Sequence, residues 1–416
     1  MRVVYFTETF LPKIDGIVTV LCLLLDYLQK QGIPSMLVTA ERGVTRYADT
    51  IVHGVPGMPV PFYPELHITL PGRGTLAAMR AFKPTLVHLI HPSVTGMPGI
   101  RFARKLGVPL LASFHTDVVR MARFYRMGIM APFIAAYTRW TYNQCDYTLA
   151  TSRRMQRYLH DLHIHNVGLW RRGVDPEFFG SGVRSEAMRA QLTDGHPERV
   201  ILLFVGRAAP EKRIEMLREV ITGVPNTHLA VVGDGPHLPA LRAYFAGTPA
   251  TFLGYLTGQP LADAYASADI FTFPSETETF GMVVPEAMAA GLPVISTLVG
   301  GVDDVLEEER SGFMVPVGDV DAMAARVRLL AETPDLRHRM GAHGREAAQR
   351  LTWDVINEEL LGVYEALIAG REPEQPRLPG RTRRAGPRAA ILTDAAPWPP
   401  LTGSKRVALR FAQPAG

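Results

Sequence analysis

The sequence predicts an α/β protein with two doubly wound, Rossmann-like domains that face each other across a cleft. Its 416 residues are too many for one hydrophobic core, because single cores stop growing at about 250–300 residues. Short apolar runs alternate with longer amphipathic segments, and this alternation restarts after about residue 175. The pattern is typical of parallel strands joined by helices, so we expect one parallel sheet in each half.

Five apolar runs in each half mark the expected strands. In the first half they are "RVVYFTE", "SMLVTA", "TLVHLIHP", "PLLASFHTD" and "DYTLATS". In the second half they are "RVILLFVGR", "HLAVVGDG", "ATFLGYL", "DIFTFPSE" and "LPVIST". The predicted domains are residues 1–173 and 174–354. A helix over 355–370 is expected to pack back on the first domain, and a tail rich in Pro, Gly and Arg over 371–416 is expected to be disordered.

Composition and charge indicate a globular protein without a nucleic-acid partner. The hydrophobic fraction is 47% and the charged fraction is 20%, as in ordinary globular domains. Residues 371–416 contain nine Arg or Lys and three Asp or Glu, which leaves 35 basic against 37 acidic residues elsewhere. The net charge of +4 therefore belongs to the tail and gives no reason to expect nucleic-acid binding.

Cysteine usage and the apolar runs predict a cytoplasmic protein that is soluble or peripheral. Cys22 and Cys145 lie far apart without a C-x-x-C partner, so we expect neither a disulfide nor a cysteine zinc site. The N-terminal "MRVVYFTETF" is typical of a strand and not of a signal peptide. No run reaches the roughly 20 apolar residues that a membrane-spanning helix needs.

The first loop of interest follows the first strand, because ligands of open α/β sheets bind beside the carboxyl ends of strands. A long apolar helix is expected to begin just after Gly16 in this loop. The backbone N–H groups of Gly16 and Ile17 could meet a phosphate there, since glycine has no Cβ in the way. A tight turn into a core helix explains the same residues equally well.

Two further loops come from the second half. After "LLFVG", Arg207 and Lys212 provide a guanidinium fork and a mobile ammonium group that suit a pyrophosphate, although surface salt bridges are the commoner use of such residues. The "GDGP" turn lacks the third glycine of a dinucleotide fingerprint, since Leu238 stands in its place. Nicotinamide binding is not expected, and both a nucleotide pocket and a simple turn fit this loop.

The stretch "FPSETETFGMVVPEAMAAG" carries two carboxylates, Glu278 and Glu286. Its first proline ends a strand, and a short helix is expected with Pro285 in its first turn and Gly291 at its end. Glu278 then lies in the loop, and Glu286 lies within about one turn of the helix N-terminus.

The N–H groups of Phe280, Gly281 and Met282 precede this helix, where the positive end of its dipole favours an anion. Phosphate oxygens need such donors, whereas sugar and ribose hydroxyls suit carboxylate acceptors. The stretch therefore predicts a site for a nucleotide-sugar, which carries both kinds of group. An acidic residue that only stabilises the helix N-terminus would explain one of the glutamates but not both.

Over roughly residues 1–368 the chain resembles the retaining glycosyltransferases of family 4, which have the GT-B fold. The resemblance rests on Gly16, on His115 in "SFHTD", and on "GRAAPEK", "GDGP" and "ETETFGMVVPE". Through "LWRRGVD", "LADAYASADIF" and "PSETETFGMVVPEAM" the chain is most similar to sulfoquinovosyl-diacylglycerol synthases and related lipid-directed mannosyl- or glucosyltransferases. This resemblance implies a GT-B enzyme that transfers a hexosyl unit from a nucleotide-sugar with retention of the anomeric configuration.

The resemblance also implies a role for each matching residue. Arg207 and Lys212 would bind the donor diphosphate and stabilise the leaving nucleotide, and Glu286 would hold the ribose hydroxyls. Glu278 would contact the transferred sugar, and His115 would touch that sugar from the opposite domain. No enzymic nucleophile is implied, because the leaving phosphate assists removal of the acceptor's proton. Further donor contacts are implied for Gly16, Tyr255, Leu256, Phe280, Gly281, Met282 and Val283.

Neither a catalytic metal nor a cofactor is expected. Asp319 and Asp321 have a D-x-D spacing but begin an alanine-rich helix. We therefore interpret Asp319 as an N-cap and Asp321 as a residue that favours the helix dipole. The histidines of "HDLHIH" lack companion ligands at a defined spacing.

Basic and aromatic residues interleave in "RMARFYRMGIMAPFIAAYTRWTYNQ". Its arginines are Arg120, Arg123, Arg126 and Arg139. Such a segment suits an anionic membrane surface, and equally an amphipathic helix with its arginines in water; the lipid-directed relatives favour the membrane. We expect a peripheral enzyme on the inner face of the cytoplasmic membrane, whose first domain takes a lipid acceptor such as diacylglycerol or a glycolipid.

The resemblance does not decide the donor, for which we expect a UDP-sugar first and GDP-mannose second. Two other classes of protein also fit two sheets and a nucleotide-sugar site. A nucleotide-sugar epimerase would need no acceptor and is not expected to carry the pair Glu278 and Glu286. A non-catalytic binding protein would have little need to keep Glu278 together with Arg207 and Lys212.

Overall fold

The computed structural model describes residues 1–13, 15–60, 63–90, 92, 96–119 and 128–374. Within them, the side chains of residues 59–60 and 63–68 are not described. All described residues belong to one compact unit, Met1–Pro376. Residues 375–416, most of the tail for which disorder is predicted, lie outside the described residues.

Among the described residues, the first half contains an eight-stranded sheet and a separate antiparallel pair. Its strands are β1 (Val3–Phe6), β2 (Ser35–Ala40), β3 (Arg46–Tyr47), β4 (Thr50–Val55), β5 (Gly57–Val60), β6 (Tyr63–Thr69), β7 (Leu86–Ile90), β8 (Leu110–Phe114), β9 (Tyr147–Ala150) and β10 (Val167–Leu169). The sheet order is β10-β9-β8-β7-β1-β2-β4-β3, and β5 pairs with β6. Neighbouring strands of the sheet are parallel except β3 and β4. The order reverses between β1 and β7, which is the topological switch point of this sheet.

The second half, within residues 128–374, contains a six-stranded sheet whose neighbouring strands are all parallel. Its strands are β11 (Val200–Val205), β12 (Thr227–Val232), β13 (Ala250–Gly254), β14 (Ile270–Phe273), β15 (Val294–Thr297) and β16 (Gly312–Val315). The order is β13-β12-β11-β14-β15-β16. The switch point therefore lies between β11 and β14, and the loops that follow these two strands are the expected place for a ligand.

Helices connect the strands of both sheets. In chain order they are α1 (Gly16–Lys30), α2 (Arg73–Phe82), α3 (Gly96–Leu106), α4 (Ala131–Tyr142), α5 (Arg153–Asp161), α6 (Pro176–Gly180), α7 (Glu186–Leu192), α8 (Met216–Gly223), α9 (Leu238–Tyr244), α10 (Gly258–Ser267), α11 (Val283–Ala289), α12 (Val302–Val305), α13 (Val320–Glu332), α14 (Pro334–Ala348) and α15 (Trp353–Ile368). Short 3₁₀ turns cover Gly128–Met130 and Pro210–Lys212.

The predicted fold class is confirmed, because every strand expected from an apolar run is present. These are β1, β2, β7, β8 and β9 in the first sheet and β11 to β15 in the second. Strands β3 to β6, β10 and β16 were not expected. β10 spans only three residues, which is too short to leave a clear periodic pattern.

The last helix, α15, packs against the first sheet. Leu360 on α15 is buried in the same apolar cluster as Val3 of β1. Tyr364 Oη lies 3.2 Å from Tyr5 Oη and 2.7 Å from His88 Nδ1. These buried hydrogen bonds attach the end of the described chain to β1 and β7. The limits proposed for the domains at residues 173 and 354 stay predictions.

Candidate active site

Two loops of the second sheet meet at its switch point. The loop after β11 carries Arg207 and Lys212, and the loop after β14 carries Glu278. Glu276 N–H donates to Glu211 O between the two loops at 2.9 Å. Because β11 and β14 are neighbours in the sheet, the fold brings together side chains that lie 66 positions apart in the sequence.

Lys212 and Glu278 form an ion pair between Nζ and Oε1. Ser275 Oγ donates a second hydrogen bond to the same oxygen of Glu278 at 2.9 Å. The side chains of Lys212 and Glu278 are only 16% and 14% exposed, so solvent screens the pair weakly. Lys212 Nζ also lies 5.4 Å from the centroid of the Phe273 ring. A cation predicted to bind diphosphate thus contacts a carboxylate predicted to contact the sugar.

Arg207 lies on a more open part of the same site. Its Nη2 donates to Glu211 Oε1 at 2.5 Å, and its side chain is 47% exposed. Ion pairs between exposed side chains contribute at most about 1 kcal/mol. Exchanging Glu211 for a bound phosphate would therefore cost the Arg207 guanidinium little.

The loop and helix between Glu278 and Gly291 have the form that the sequence predicts. Helix α11 begins at Val283 and has Pro285 in its first turn. Gly281 has a φ of +88° and Gly291 a φ of +81°, values that residues with a Cβ rarely adopt. The two glycines allow the chain to enter and leave α11 sharply, which confirms the predicted strand, loop and short helix.

The N–H groups of Phe280, Gly281 and Met282 have no acceptor in the part of the chain that the structure describes. The ring of Phe280 is buried. Met282 packs against the apolar clusters of both halves. Side-chain packing therefore holds this segment in place, while its backbone donors remain available to a ligand.

Glu286 lies on α11, where Tyr265 Oη donates to its Oε2 at 2.9 Å. Burial raises the pKa of the Glu286 carboxyl to about 7, and this hydrogen bond lowers it only partly. Within the described residues Oε1 accepts no hydrogen bond. Tyr265 was not predicted as a site residue. The signal that could have found it is its place in "LADAYASADIF", on the buried side of α10.

His115 follows β8 and is buried. Its Nδ1 lies 2.7 Å from Nη2 of Arg172, and its Nε2 lies 2.7 Å from Ser113 Oγ. A guanidinium only donates, so Nδ1 is the acceptor and the neutral imidazole carries its hydrogen on Nε2. The predicted contact of His115 with the sugar stays a prediction, because both ring nitrogens already have partners in the first half.

Arg172 belongs to "LWRRGVD", a stretch that marked the family but no particular role. The guanidinium stacks 4.8 Å from the Trp170 ring centroid and donates to Trp170 O at 3.1 Å. Burial lowers the pKa of Arg172 to about 9. Sequence reasoning missed this residue because its proximity to His115 exists only in the tertiary structure.

Helix α1 begins at Gly16, one residue earlier than predicted, and the N–H of Ile17 is already occupied. Asp15 Oδ1 accepts hydrogen bonds from Ile17 N–H at 3.0 Å and from Val18 N–H at 2.9 Å. The prediction that Ile17 offers a bare N–H to phosphate is therefore wrong for this structure, because Asp15 caps the helix. An added Cβ at Gly16 would meet no atom within 4 Å, so the space beside Gly16 is open.

Residues 14–178 match the family model described as Glycosyltransferase Family 4, and residues 199–333 match the model described as Glycosyl transferases group 1. A GDP-mannose-dependent alpha-mannosyltransferase of Mycolicibacterium smegmatis is 37% identical over 380 residues, which cover 89% of this chain and 99% of that protein. The chain is a family 4 glycosyltransferase. The predicted family 4 membership and the prediction of a glycosyltransferase are confirmed, and this disfavours an epimerase or a non-catalytic binding protein.

Two further comparisons place this family 4 glycosyltransferase among its relatives. The sulfoquinovosyl transferase SQD2 of Arabidopsis thaliana is 33% identical over 335 residues, which cover 79% of this chain and 66% of that protein. Sucrose-phosphate synthase of Thermosynechococcus elongatus has a TM-score of 0.72 at 23% identity, over 89% of this chain and 99% of that structure. At that identity the structural likeness shows the GT-B fold alone.

The "GDGP" loop of this family 4 glycosyltransferase packs against the loop that carries Arg207. A Cβ at Gly233 would lie 2.0 Å from Gly206 O, and one at Gly235 would lie 2.4 Å from Ala208 O. Glycine is therefore needed here for the close approach of two turns. This packing accounts for the motif as a βα turn that supports the site.

The remaining predicted donor contacts lie at two other positions. Tyr255 and Leu256 follow β13, and the Tyr255 side chain is largely exposed. Val283 is the first residue of α11 and is partly buried. Contacts of these three residues with a donor stay predictions.

The D-x-D pair of the second half has the predicted capping role. Asp319 Oδ1 accepts a hydrogen bond from Ala322 N–H at 2.9 Å and caps α13, while Asp321 lies in the first turn of that helix. In the part of the chain that the structure describes, no three His, Cys, Asp or Glu side chains group as ligands for one metal ion.

The segment for which membrane contact was predicted is only partly described. Arg120, Arg123 and Arg126 lie outside the described residues. Arg139 lies on α4 and is exposed. No helix in the described ranges is long and apolar enough to cross a membrane.

Proposed function

We propose that this glycosyltransferase transfers a hexosyl unit to a lipid acceptor with retention of the anomeric configuration, without a divalent metal. The observation that most supports sugar transfer from a nucleotide-sugar is the ion pair of Lys212 and Glu278 at the switch point of the second sheet. Arg207 lies on the same loop as Lys212. Cations for a diphosphate then lie beside a carboxylate for sugar hydroxyls, and Glu286 provides a second carboxylate on the following helix.

GDP-mannose is the donor that we now place first, ahead of the UDP-sugar favoured by the sequence analysis. We prefer GDP-mannose because the GDP-mannose-dependent mannosyltransferase is 37% identical to this chain over 99% of its own length. SQD2 matches a smaller share of its own length. An α-mannosyl product formed from the α-linked mannose of GDP-mannose corresponds to retention.

The proposed reaction follows from the charges of the site. When the bond between the anomeric carbon and the diphosphate oxygen breaks, negative charge grows on the leaving nucleotide, and Arg207 and Lys212 neutralise it. The acceptor hydroxyl forms its bond to the anomeric carbon on the same face. Its proton passes to the leaving diphosphate. Glu278 Oε1 is held by Lys212 and Ser275, which suits hydrogen bonding to the sugar better than nucleophilic attack.

A donor panel tests this proposal. The purified protein is incubated with radiolabelled GDP-mannose, UDP-glucose or UDP-sulfoquinovose and a lipid extract, with and without EDTA. We expect a labelled glycolipid from GDP-mannose in both conditions and α-stereochemistry in the product. A water-soluble product alone would contradict the lipid acceptor, and loss of transfer in EDTA would contradict the metal-free mechanism.

Helix α4 supports the proposed contact with an anionic membrane. Phe133, Tyr137 and Trp140 are 70%, 38% and 46% exposed, and their spacing places them on one face of the helix. Ile129, in the turn before α4, is 86% exposed, and Arg139 lies on the same helix. Exposed aromatic and apolar side chains beside a cation fit the interface of a bilayer with anionic headgroups.

Sedimentation with phosphatidylglycerol vesicles tests this surface. We expect the double variant Phe133→Ser/Trp140→Ser to lose most vesicle binding. Tyr244→Ser, at an exposed tyrosine of α9 in the second half, is the matched control and should bind as the wild type does. Equal binding by all three proteins would contradict the proposed membrane surface.

A further inference from the structure

The donor-binding loop of the second half is held by hydroxyl groups of the first half. Thr151 Oγ1 donates to Thr279 O at 2.9 Å, and Ser152 Oγ donates to the same carbonyl at 3.2 Å. Both hydroxyl-bearing side chains are buried. Thr279 stands between Glu278 and Phe280, so these bonds reach the centre of the segment predicted to contact the donor.

A second contact beside these hydroxyls joins the same two halves. Arg153 N–H, at the start of α5, donates to Asp304 Oδ2 at 2.7 Å. The Asp304 side chain is only 2% exposed and comes from α12 of the second half. Ser152 Oγ also accepts from Met155 N–H at 3.2 Å. The N-terminus of α5 is therefore capped by its own serine and by a carboxylate from the opposite half.

Gly301 allows these segments to approach closely. Its N–H donates to Phe280 O at 3.2 Å. A Cβ added at Gly301 would lie 2.6 Å from Phe280 Cδ2 and 2.9 Å from Ser152 Cβ. The backbone of the donor loop, the start of α12 and the turn after β9 thus meet at a point where no side chain fits.

We propose that Thr151 and Ser152 are positioning residues that orient the donor-binding loop from the opposite domain. In a trans peptide the carbonyl and the following N–H point in opposite directions within one plane. Hydrogen bonds that fix Thr279 O therefore also fix the direction of the Phe280 N–H, and they polarise that peptide group towards stronger donation. This inference rests on the proposed role of residues 278–282 in binding the donor.

Thr151→Val provides the cleanest test, because valine keeps the shape of threonine without its hydroxyl. Thr151→Ser retains the hydroxyl and is the matched control. Ser152→Ala is less informative, since it also removes the cap of α5. We expect Thr151→Val to raise the KM for the donor about three- to tenfold, the range of one lost hydrogen bond, with a smaller change in kcat. Thr151→Ser should restore the wild-type KM.

Calorimetric titration with GDP, GDP-mannose and UDP-sugars separates this inference from the proposed function. The positioning role is supported if the wild type binds, Thr151→Val binds more weakly, and Thr151→Ser binds as tightly as the wild type. Equal affinity in all three proteins overturns it while leaving the proposed function intact. Absence of wild-type binding to GDP-mannose and to UDP-sugars overturns the proposed function and this inference together.

Hydrogen exchange in the ligand-free protein gives a measurement that does not depend on activity. We expect the amides of Val284 and Gly301, which donate to Gly281 O and Phe280 O, to exchange faster in Thr151→Val than in Thr151→Ser, because the loop loses one of its supports from the first half. Faster exchange over the whole chain would indicate a general loss of stability instead, and would contradict a specific effect on this loop.

Discussion

Glu286 has a residue type that suits ribose hydroxyls and an environment that opposes its charge. Burial raises the pKa of the carboxyl to about 7 in spite of the hydrogen bond from Tyr265. Hydrogen bonds from a ligand to the ionised form lower a carboxyl pKa. Donor binding and ionisation of Glu286 are therefore expected to favour each other.

The first prediction concerns the pH dependence of donor binding. Below the pKa of about 7 Glu286 is mostly protonated and must lose a proton before it accepts both hydroxyls. We expect the KM for the donor to fall about tenfold between pH values of about 6 and 8, and then to level off. Measurement of KM against pH checks this.

Glu286→Gln is the test variant, because the amide has no proton to lose in this range. It should raise the KM at high pH by roughly tenfold, as expected for a lost hydrogen bond to a charged group, and should abolish the pH dependence. The same pH profile in Glu286→Gln and the wild type would contradict the assignment.

The second prediction concerns Glu278, which we expect to act in transfer more than in donor binding. Glu278→Gln removes the charge that pairs with Lys212, and on the proposed mechanism it weakens the contact with the sugar as the glycosidic bond breaks. We expect kcat to fall by about 100-fold with a change in donor KM below about threefold. Steady-state kinetics with varied donor measures both constants.

Glu276→Gln is the matched control for Glu278→Gln, since Glu276 lies in the same loop and faces Arg213 at 3.6 Å. Its kinetic constants should stay near those of the wild type. Equal loss of donor affinity in Glu278→Gln and Glu286→Gln would show that the two carboxylates do not divide their roles.

At the scale of elements, the sequence predicts most of the regular structure that surrounds the site. Local sequence determines the strands before the functional loops and the short helix α11. Apolar runs mark the strands, and Pro285 and Gly291 mark the two ends of the helix. The capping of α1 by Asp15 was missed, since Gly16 drew attention to the loop as a phosphate site. Strands β3 to β6 were missed because their stability comes from neighbours in the sheet and not from their own apolar pattern.

The third prediction concerns Asp15 and the start of α1. Asp15→Ala removes the acceptor for the N–H groups of Ile17 and Val18, so we expect the free energy of unfolding to fall by about 1 kcal/mol. Asp15→Asn keeps a capping oxygen but loses the ion pair with Lys13 at 3.5 Å, and it should be close to the wild type. Urea unfolding distinguishes them, and equal destabilisation would assign the effect to the ion pair.

At the scale of the whole molecule, the chain joins its two sheets in more than one place. Arg171 Nη2 lies 2.5 Å from Glu359 Oε1, which links the segment after β10 to α15. Val174 N–H donates to Leu351 O at 2.8 Å. These two bonds hold the polypeptide crossings beside each other. Direct bonds between the halves come instead from Thr151, Ser152 and Arg153, which contact Thr279 and Asp304 of the second half.

The fourth prediction concerns the attachment of α15 to the first sheet. Tyr364→Phe leaves buried groups of Tyr5 and His88 without their partner. We expect it to lower the free energy of unfolding by roughly 1–3 kcal/mol. Tyr27→Phe is the control, because Tyr27 is also buried but its hydroxyl has no hydrogen bond within the described residues. Denaturant unfolding should separate the variants, and equal stability would contradict the role of Tyr364.

By itself, the sequence determined the two-sheet fold class, the family, and the residue types of the candidate donor site, including Arg207, Lys212, Glu278 and Glu286. Apolar periodicity and short motifs express these features locally, so they are readable without coordinates. Only the tertiary structure decided which groups act on one another: Lys212 on Glu278, Tyr265 on Glu286, Arg172 on His115, and Thr151 on the backbone carbonyl of Thr279. These pairs depend on strand order and on the approach of two sheets, and burial at such meeting points then sets charge states, such as that of Glu286, that no local sequence pattern encodes.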